Sequence, residues 1–85
     1  MDIHISDHAR FEAERRGIPI DTIIKVALSP QQEIASGKRK ICQSKLFNLS
    51  VGKEMLLRVV VQELKESLLI ITVYETSKIE KYWRA

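Results

Sequence analysis

Pro30 divides the chain into two parts with different hydrophobic patterns, and this division constrains the fold more than any other feature. Before Pro30, the segments DHARFEAERR and PIDTIIKVALSP are typical of short helices. After it, RKICQSKLFNLSV, EMLLRVVVQEL and SLLIITVYE are short stretches rich in β-branched and aromatic residues, which favour strands. Because the strands follow the helices instead of alternating with them, the pattern argues against a parallel doubly wound sheet.

The signals at the ends of the two helical segments set their limits. Ser6 or Asp7 can cap the first helix and Gly17 can end it, which predicts a helix over about residues 7–16. Asp21 is a suitable cap for the second helix, and Pro30 prevents its continuation. The second helix is therefore predicted over about residues 21–28.

The second part of the chain predicts three or four antiparallel strands. QQEIASGKRKI is typical of a hairpin that turns at Ser36 and Gly37, and SVGKE and LKES contain the next two turns. The tail TSKIEKYWRA is either a last strand or a short helix. The predicted fold class is α+β, with two N-terminal helices followed by a three- to four-stranded antiparallel sheet, in a single domain over residues 1–85.

Composition limits the functions that such a chain can have. A fold of 85 residues buries roughly 60 to 65% of its unfolded surface, enough for one core. The sequence has no apolar run of membrane-spanning length and no signal-peptide pattern, so we expect a cytoplasmic protein without membrane contact. One cysteine and two histidines make a disulfide impossible within the chain and argue against a metal site, so we expect no cofactor. The net charge of +3 permits RNA as a partner.

His8 is the first candidate for chemistry, because it lies in the first turn of the first helix. There the positive end of the helix dipole favours a neutral imidazole that can accept a proton. Helical spacing places His8, Glu12 and Arg15 along one stripe, while Phe11 lies on a flank that can face the core. The alternative interpretation is that His8 only caps or packs the helix and that Glu12 and Arg15 form an exposed ion pair.

A second candidate is a set of basic residues near two turns of the chain. Its members are Lys38, Arg39, Lys40 and Lys45 on the predicted hairpin, and Lys78, Lys81 and Arg84 in the tail. Such cations can neutralise phosphates, and Tyr74, Tyr82 or Trp83 can stack on an unpaired base. The alternative is a solvated turn and tail, with the aromatic residues serving the core.

Arg58 is more informative, because it interrupts MLLRVVV, which otherwise has the composition of a buried strand. Either its side chain reaches solvent or it faces a polar site. A turn at LKES that pairs Arg58 with Thr72 or Tyr74 places arginine, threonine and tyrosine side by side, whereas a slip of one residue separates them. The sequence leaves both registers open.

The order of these motifs resembles the domain-of-unknown-function family 4258. Members of that family open with a His-Ala pair, continue to Arg-Gly-Ile, and finish with a Thr-Val-Tyr strand. The resemblance covers nearly the whole chain, and the matching positions are His8, Ala9, Arg16, Gly17, Ile18, Pro30, Thr72, Val73 and Tyr74.

The resemblance implies a relationship to the RelE and BrnT toxins and to colicin-type nuclease domains, in which helices pack on an antiparallel sheet of RelE or barnase type. Such proteins cleave RNA without a metal ion, so the implied function is a metal-independent endoribonuclease, the toxin of a toxin–antitoxin pair with an acidic antitoxin. The implied catalytic residues are His8 as base or acid, Arg58 on the phosphate, and Thr72 or Tyr74 as orienting groups. Arg16 either joins Arg58 on the phosphate or stabilises the end of the first helix.

The residues implied to bind RNA are Arg15, Arg16, Lys38, Arg39, Lys40, Lys78 and Lys81. An alternative function is a noncatalytic module of the same fold that binds RNA through its basic face or a protein through an exposed strand edge. A third possibility is an accessory domain without an active cleft. These alternatives differ in whether His8, Arg58 and Thr72 point to one surface.

Overall fold

Five strands and three helices make up residues 2–85, the part of the chain that this computed structural model describes. They follow in chain order as β1 (Asp2–Ile5), α1 (Asp7–Arg16), α2 (Ile20–Leu28), β2 (Gln32–Ser36), β3 (Arg39–Asn48), β4 (Lys53–Glu63), β5 (Ser67–Thr76) and α3 (Ile79–Tyr82). The strands form one sheet in the order β1-β5-β4-β3-β2. β1 is parallel to β5, and the other neighbours are antiparallel.

The predicted fold class is therefore wrong, because the sheet is mixed and has five strands, one of which precedes the helices. β1 contains only Ile3 and Ile5 as apolar residues that pack on the core, which is too short a pattern to identify a strand. Its partner β5 lies more than 60 positions away, with Ile3 beside Leu68 and Ile5 beside Ile70. The strand is formed by this distant pairing, so no local signal marked it.

The two predicted helices are present nearly where their end signals placed them. Ser6 caps α1, where its Oγ accepts a hydrogen bond from the Ala9 N–H at 3.0 Å, and Gly17 ends α1 with a φ of 66°. α2 begins after Pro19, so Asp21 lies in its first turn and does not cap it.

No helix within residues 2–85 combines the length and the apolar character that crossing a membrane requires.

The strands after Pro30 follow the predicted hairpins. β2 and β3 pair around the Ser36–Arg39 turn, and further turns join β3 to β4 and β4 to β5. A bulge interrupts the last pairing, because Val60 lies opposite Thr72 while Val61 lies opposite Ile70. The tail forms the short helix α3, one of the two alternatives that the sequence left open.

The sheet has two faces with different partners. On the helix face, Ala9 and Ala13 of α1 and Ile23 of α2 join Leu57 and Val59 of β4 in the core. Because strand residues alternate in direction, Arg58 points to the opposite side, which we call the far face. Phe11 does not join the core, contrary to the prediction, because 62% of its surface is exposed.

Candidate functional site

A row of four polar side chains crosses the far face of the sheet. Gln32 of β2 lies opposite Gln43 of β3, Gln43 opposite Arg58 of β4, and Arg58 opposite Tyr74 of β5. We call these four residues the polar row. Antiparallel register brings them together, and it is the register that places Arg58 beside Tyr74.

Hydrogen bonds connect the members of the polar row in sequence. Gln43 Nε2 donates to Gln32 Oε1 at 2.7 Å, and Arg58 Nε donates to Gln43 Oε1 at 2.9 Å. Arg58 Nη1 donates to the Tyr74 hydroxyl. Gln43 is fully buried and Arg58 is only 6% exposed, so this network lies mostly away from water.

The end of the chain covers the polar row. We call residues 78–84, which include α3, the C-terminal strap. The Tyr82 ring lies under the Arg58 guanidinium, with 4.2 Å between Arg58 Cζ and the ring centroid, and it meets the Tyr74 ring edge to face at 6.4 Å. The next ring, that of Trp83, lies 4.0 Å from Lys45 Nζ. Both contacts have the geometry of a cation–π interaction.

Side-chain amides of the polar row fix the backbone of the C-terminal strap. Gln43 Nε2 donates to the Tyr82 carbonyl at 3.1 Å. Gln32 Nε2 donates to the Arg84 carbonyl at 2.6 Å, and Gln32 Oε1 accepts from the Arg84 N–H at 3.1 Å. The Gln32 amide thus pairs with Arg84 as a neighbouring strand would.

Arg58 is a buried cation whose bonded partners are all neutral. The four ion pairs within residues 2–85 join Glu12 to Arg15 and Arg16, and Lys40 to Glu33 and Glu63, so none of them involves Arg58. Burying an arginine without a carboxylate is unfavourable, because amide and aromatic groups replace only part of its hydration. Its bonds within these residues use Nε and Nη1, which leaves the Nη2 donors for a ligand. Such a position favours an anion.

His8 lies on the other side of the sheet from Arg58. It is exposed in the first turn of α1, whose Ala9 and Ala13 pack on the helix face. The structure therefore brings Arg58 and Tyr74 together but does not bring His8 to them. Thr72 points to the far face opposite Val60, two positions from Tyr74, and forms no side-chain hydrogen bond to Arg58 within residues 2–85.

Arg15 and Arg16 are engaged on α1. Arg15 Nη2 lies 2.7 Å from Glu12 Oε2, and Arg16 Nε lies 3.8 Å from the same oxygen. The hydrogen bond from Arg15 holds the pKa of the Glu12 carboxyl below its usual value. The exposed ion pair that the sequence allowed as an alternative is present.

Arg16 also lines a cavity of about 210 Å³ between the α1–α2 turn and the β3–β4 hairpin. Ile18, Leu46 and Leu57 supply apolar walls, and Glu75 contributes an opposite charge. This cavity is separate from the polar row, because Leu57 points to the helix face.

The predicted basic set divides between the two faces. Lys40 points to the helix face and pairs with Glu63 at 2.6 Å, and this hydrogen bond raises the pKa of its ammonium group. Lys38 is in the β2–β3 turn, and Arg39 begins β3 on the side of Gln43. In the tail, Lys78 precedes α3, and Lys81 lies 5.4 Å from the Tyr82 ring centroid.

Gln32 and Gln43 are the site residues that sequence reasoning missed. Gln43 carries the signal that identified Arg58, a polar residue in a strand that is buried at that point. The signal was weaker because RKICQSKLFN is polar over much of its length. Gln32 belongs to no recognisable motif. It became a site residue because the strap lies beside β2 and Arg84 bonds to the Gln32 side chain.

Comparison with known proteins identifies the family. The sequence matches the family described as "Domain of unknown function (DUF4258)" over residues 5–75. The chain belongs to this family. The DUF4258 match includes the whole polar row and ends before the C-terminal strap. No curated protein matches the chain. No solved structure matches it either.

Proposed function

We propose that this DUF4258 protein binds RNA on the far face of its sheet and cleaves it without a metal ion, with the reacting phosphate at Arg58 and Tyr74. The observation that carries the proposal is the buried Arg58 guanidinium, whose partners within residues 2–85 are neutral and use only Nε and Nη1. A phosphate supplies the missing negative charge and the acceptor oxygens for those donors. Lys45 adds positive charge nearby, since its Nζ lies 4.0 Å from the centroid of the Trp83 ring.

The proposed reaction is transesterification within the RNA strand. The ribose 2'-hydroxyl loses its proton to solvent and its oxygen forms a bond to the adjacent phosphorus. The bond from phosphorus to the 5'-oxygen breaks, and that oxygen keeps the electron pair. Tyr74 donates its hydroxyl proton to the leaving oxygen and regains one from solvent, while Arg58 stabilises the charge on the phosphorane. The products are a 2',3'-cyclic phosphate and a 5'-hydroxyl.

The toxin interpretation belongs to this proposal and rests on the resemblance to RelE and BrnT toxins, not on the fold. A protein that cleaves cellular RNA needs an inhibitor, and the positive groups around Arg58 suit a partner with acidic residues. We therefore propose an acidic antitoxin that covers the far face.

A noncatalytic RNA-binding module is the second proposal, and the position of His8 favours it. Imidazole is the commonest general base, and the only histidines are His4 and His8. His4 lies on the edge strand β1 opposite Leu69, five positions along β5 from Tyr74, and His8 lies on α1. A centre with arginine and tyrosine alone can bind RNA without cleaving it.

One experiment separates these proposals. Wild-type protein and the variants Arg58→Gln, Tyr74→Phe and His8→Ala are incubated with transfer RNA and messenger RNA in EDTA, and the fragment ends are mapped. Arg10→Gln is the charge-matched control, because Arg10 is exposed on α1. Binding of each variant to a fluorescent RNA is measured in parallel, and circular dichroism verifies folding.

The nuclease proposal expects cyclic phosphate ends from wild type and a rate loss of about 100-fold or more for Arg58→Gln and Tyr74→Phe. His8→Ala and Arg10→Gln should stay within about twofold of wild type. Binding that requires Arg58, without cleavage, supports the noncatalytic module. If the folded Arg58→Gln protein binds and cleaves RNA like wild type, both proposals fail. If His8→Ala is the only variant that loses cleavage, the catalytic group is on α1 and not on the far face.

A further inference from the structure

We infer that the C-terminal strap is a built-in competitor of the ligand, and that the ligand which replaces it is single-stranded RNA with at least two neighbouring unpaired bases. The inference rests on the proposed function for the identity of the ligand. The observation that indicates competition is independent of it, because the rings of the strap lie against two cations of the far face, Arg58 and Lys45.

The contacts of the strap imitate those of a stacked nucleotide pair. Tyr82 and Trp83 are consecutive residues, and each places an aromatic ring about 4 Å from one cation. Bases of unpaired RNA have similar planar faces and stack on arginine and aromatic side chains. Between two such bases runs a phosphate, which the peptide lacks. A dinucleotide can therefore take both ring positions and also neutralise Arg58.

The strap is attached so that it can leave without opening the core. None of the α3 residues is buried, and α3 has four residues with no side-chain cap at its start. A helix this short is unstable on its own, so its position depends on the contacts with the polar row. These contacts are the amide bonds from Gln32 and Gln43 and the two cation–π pairs. Release of the strap is thus a local opening of the structure.

Duplex RNA does not suit this arrangement. Its bases are stacked and paired inside the helix, so their planar faces cannot reach Arg58 and Lys45. The position of Arg58 at 6% exposure also requires the ligand to come close to the sheet surface. The competing ligand is therefore an unpaired segment of RNA.

The chain contains a natural reporter of the strap, because Trp83 is its only tryptophan. Quenching of Trp83 fluorescence by acrylamide measures how far the ring is accessible to solvent. Gln32→Ala removes both hydrogen bonds to Arg84 and the acceptor of Gln43 Nε2, while Arg58 keeps its hydrogen bonds to Gln43 Oε1 and Tyr74. The matched control is Gln62→Ala, since Gln62 lies on the same side of β4 as Arg58 and its side chain has no hydrogen bond within residues 2–85.

The expected result has three parts. Gln32→Ala increases the quenching of Trp83, binds an unpaired RNA decamer about five- to tenfold more tightly than wild type, and leaves the affinity for a duplex of equal length low. The decamer increases Trp83 quenching in wild type as it displaces the strap. Gln62→Ala behaves like wild type in both measurements.

The outcomes distinguish this inference from the proposed function. If Gln32→Ala opens the strap but RNA affinity stays at the wild-type value and still depends on Arg58, the strap does not compete and only the inference fails. A duplex that binds as tightly as the decamer also overturns it. If neither protein binds RNA, the proposed function fails and the inference fails with it, whatever the quenching shows.

Discussion

Gln43→Leu tests whether the polar row is a connected and dry network. The substitution keeps the approximate volume of a fully buried side chain but removes the acceptor of Arg58 Nε and the donor to Gln32 and to the Tyr82 carbonyl. A hydrogen bond to a charged group is worth about 1.5–3 kcal/mol, and a buried charged donor without a partner costs at least as much. The leucine recovers about 1 kcal/mol through added apolar burial. We expect the free energy of unfolding to fall by about 2 kcal/mol.

Arg58→Met and the double variant complete the test. Methionine removes the buried charge together with its desolvation cost, so Arg58→Met alone should stay within about 1 kcal/mol of wild type. In the double variant no charge is left unpaired, and it should therefore be more stable than Gln43→Leu by about 1 kcal/mol. Gln62→Leu, at a half-buried position on the same side of β4, serves as the control.

Urea unfolding monitored by circular dichroism measures the stability of wild type and of the four variants. Trp83 fluorescence recorded in the same samples shows whether the C-terminal strap is lost before the sheet unfolds. The reasoning is refuted if Gln43→Leu unfolds within about 0.5 kcal/mol of wild type, since water would then satisfy Arg58. It is also refuted if the double variant is no more stable than Gln43→Leu.

Three further predictions concern other parts of the molecule. Ser6→Ala should lower the free energy of unfolding by about 1–2 kcal/mol in urea, because its Oγ caps α1 and donates to the Ile71 carbonyl at 2.8 Å; an unchanged midpoint would contradict this. Burial raises the pKa of the Cys42 thiol, so the folded state holds its proton longer than the unfolded state. Stability should therefore decline as pH rises above about 8.5, and Cys42→Ala should have a shallower decline. A plot of the logarithm of the RNA association constant against the logarithm of the salt concentration should have a slope near −2 if three cations contact phosphates. Lys45→Gln should make this slope shallower by about 0.7. An unchanged slope would show that Lys45 does not contact a phosphate.

Local signals in the sequence were sufficient for α1, α2 and the antiparallel hairpins, but they left the tail that forms α3 open between a strand and a helix. Ser6, Gly17 and Pro30 mark ends that depend on a few neighbouring residues, and each acts within one turn of chain. β1 was missed because a four-residue strand with two apolar positions becomes a strand only when β5 lies beside it. That pairing joins segments more than 60 positions apart, and hydrophobic periodicity within a segment cannot predict such a pairing.

The candidate site was predictable only in part, because local signals mark Arg58 but not the residues that the sheet aligns with it. Arg58 stood out because it interrupts an apolar strand, and the register that joins it to Tyr74 was one of two that the sequence allowed. The bulge between Val60 and Val61 changes which residues of β5 pair with β4, and no residue type in the sequence predicts its position. Gln32 and Gln43 became site residues only when the sheet aligned them with Arg58.

The two faces of the sheet contribute differently to stability, and this difference supports the proposed binding site on the far face. The helix face buries Leu57, Val59 and Val61 against α1 and α2, and apolar burial of this kind stabilises the fold. The far face buries Arg58 in a polar network, where methionine should replace the arginine with a change in stability of no more than about 1 kcal/mol. A protein of this size has little stability to spare, so we propose that a buried cation without a carboxylate partner within residues 2–85 is retained for binding. In the same proposal, the cation–π contacts of Tyr82 and Trp83 cover Arg58 and Lys45 until an anion with planar groups displaces the strap.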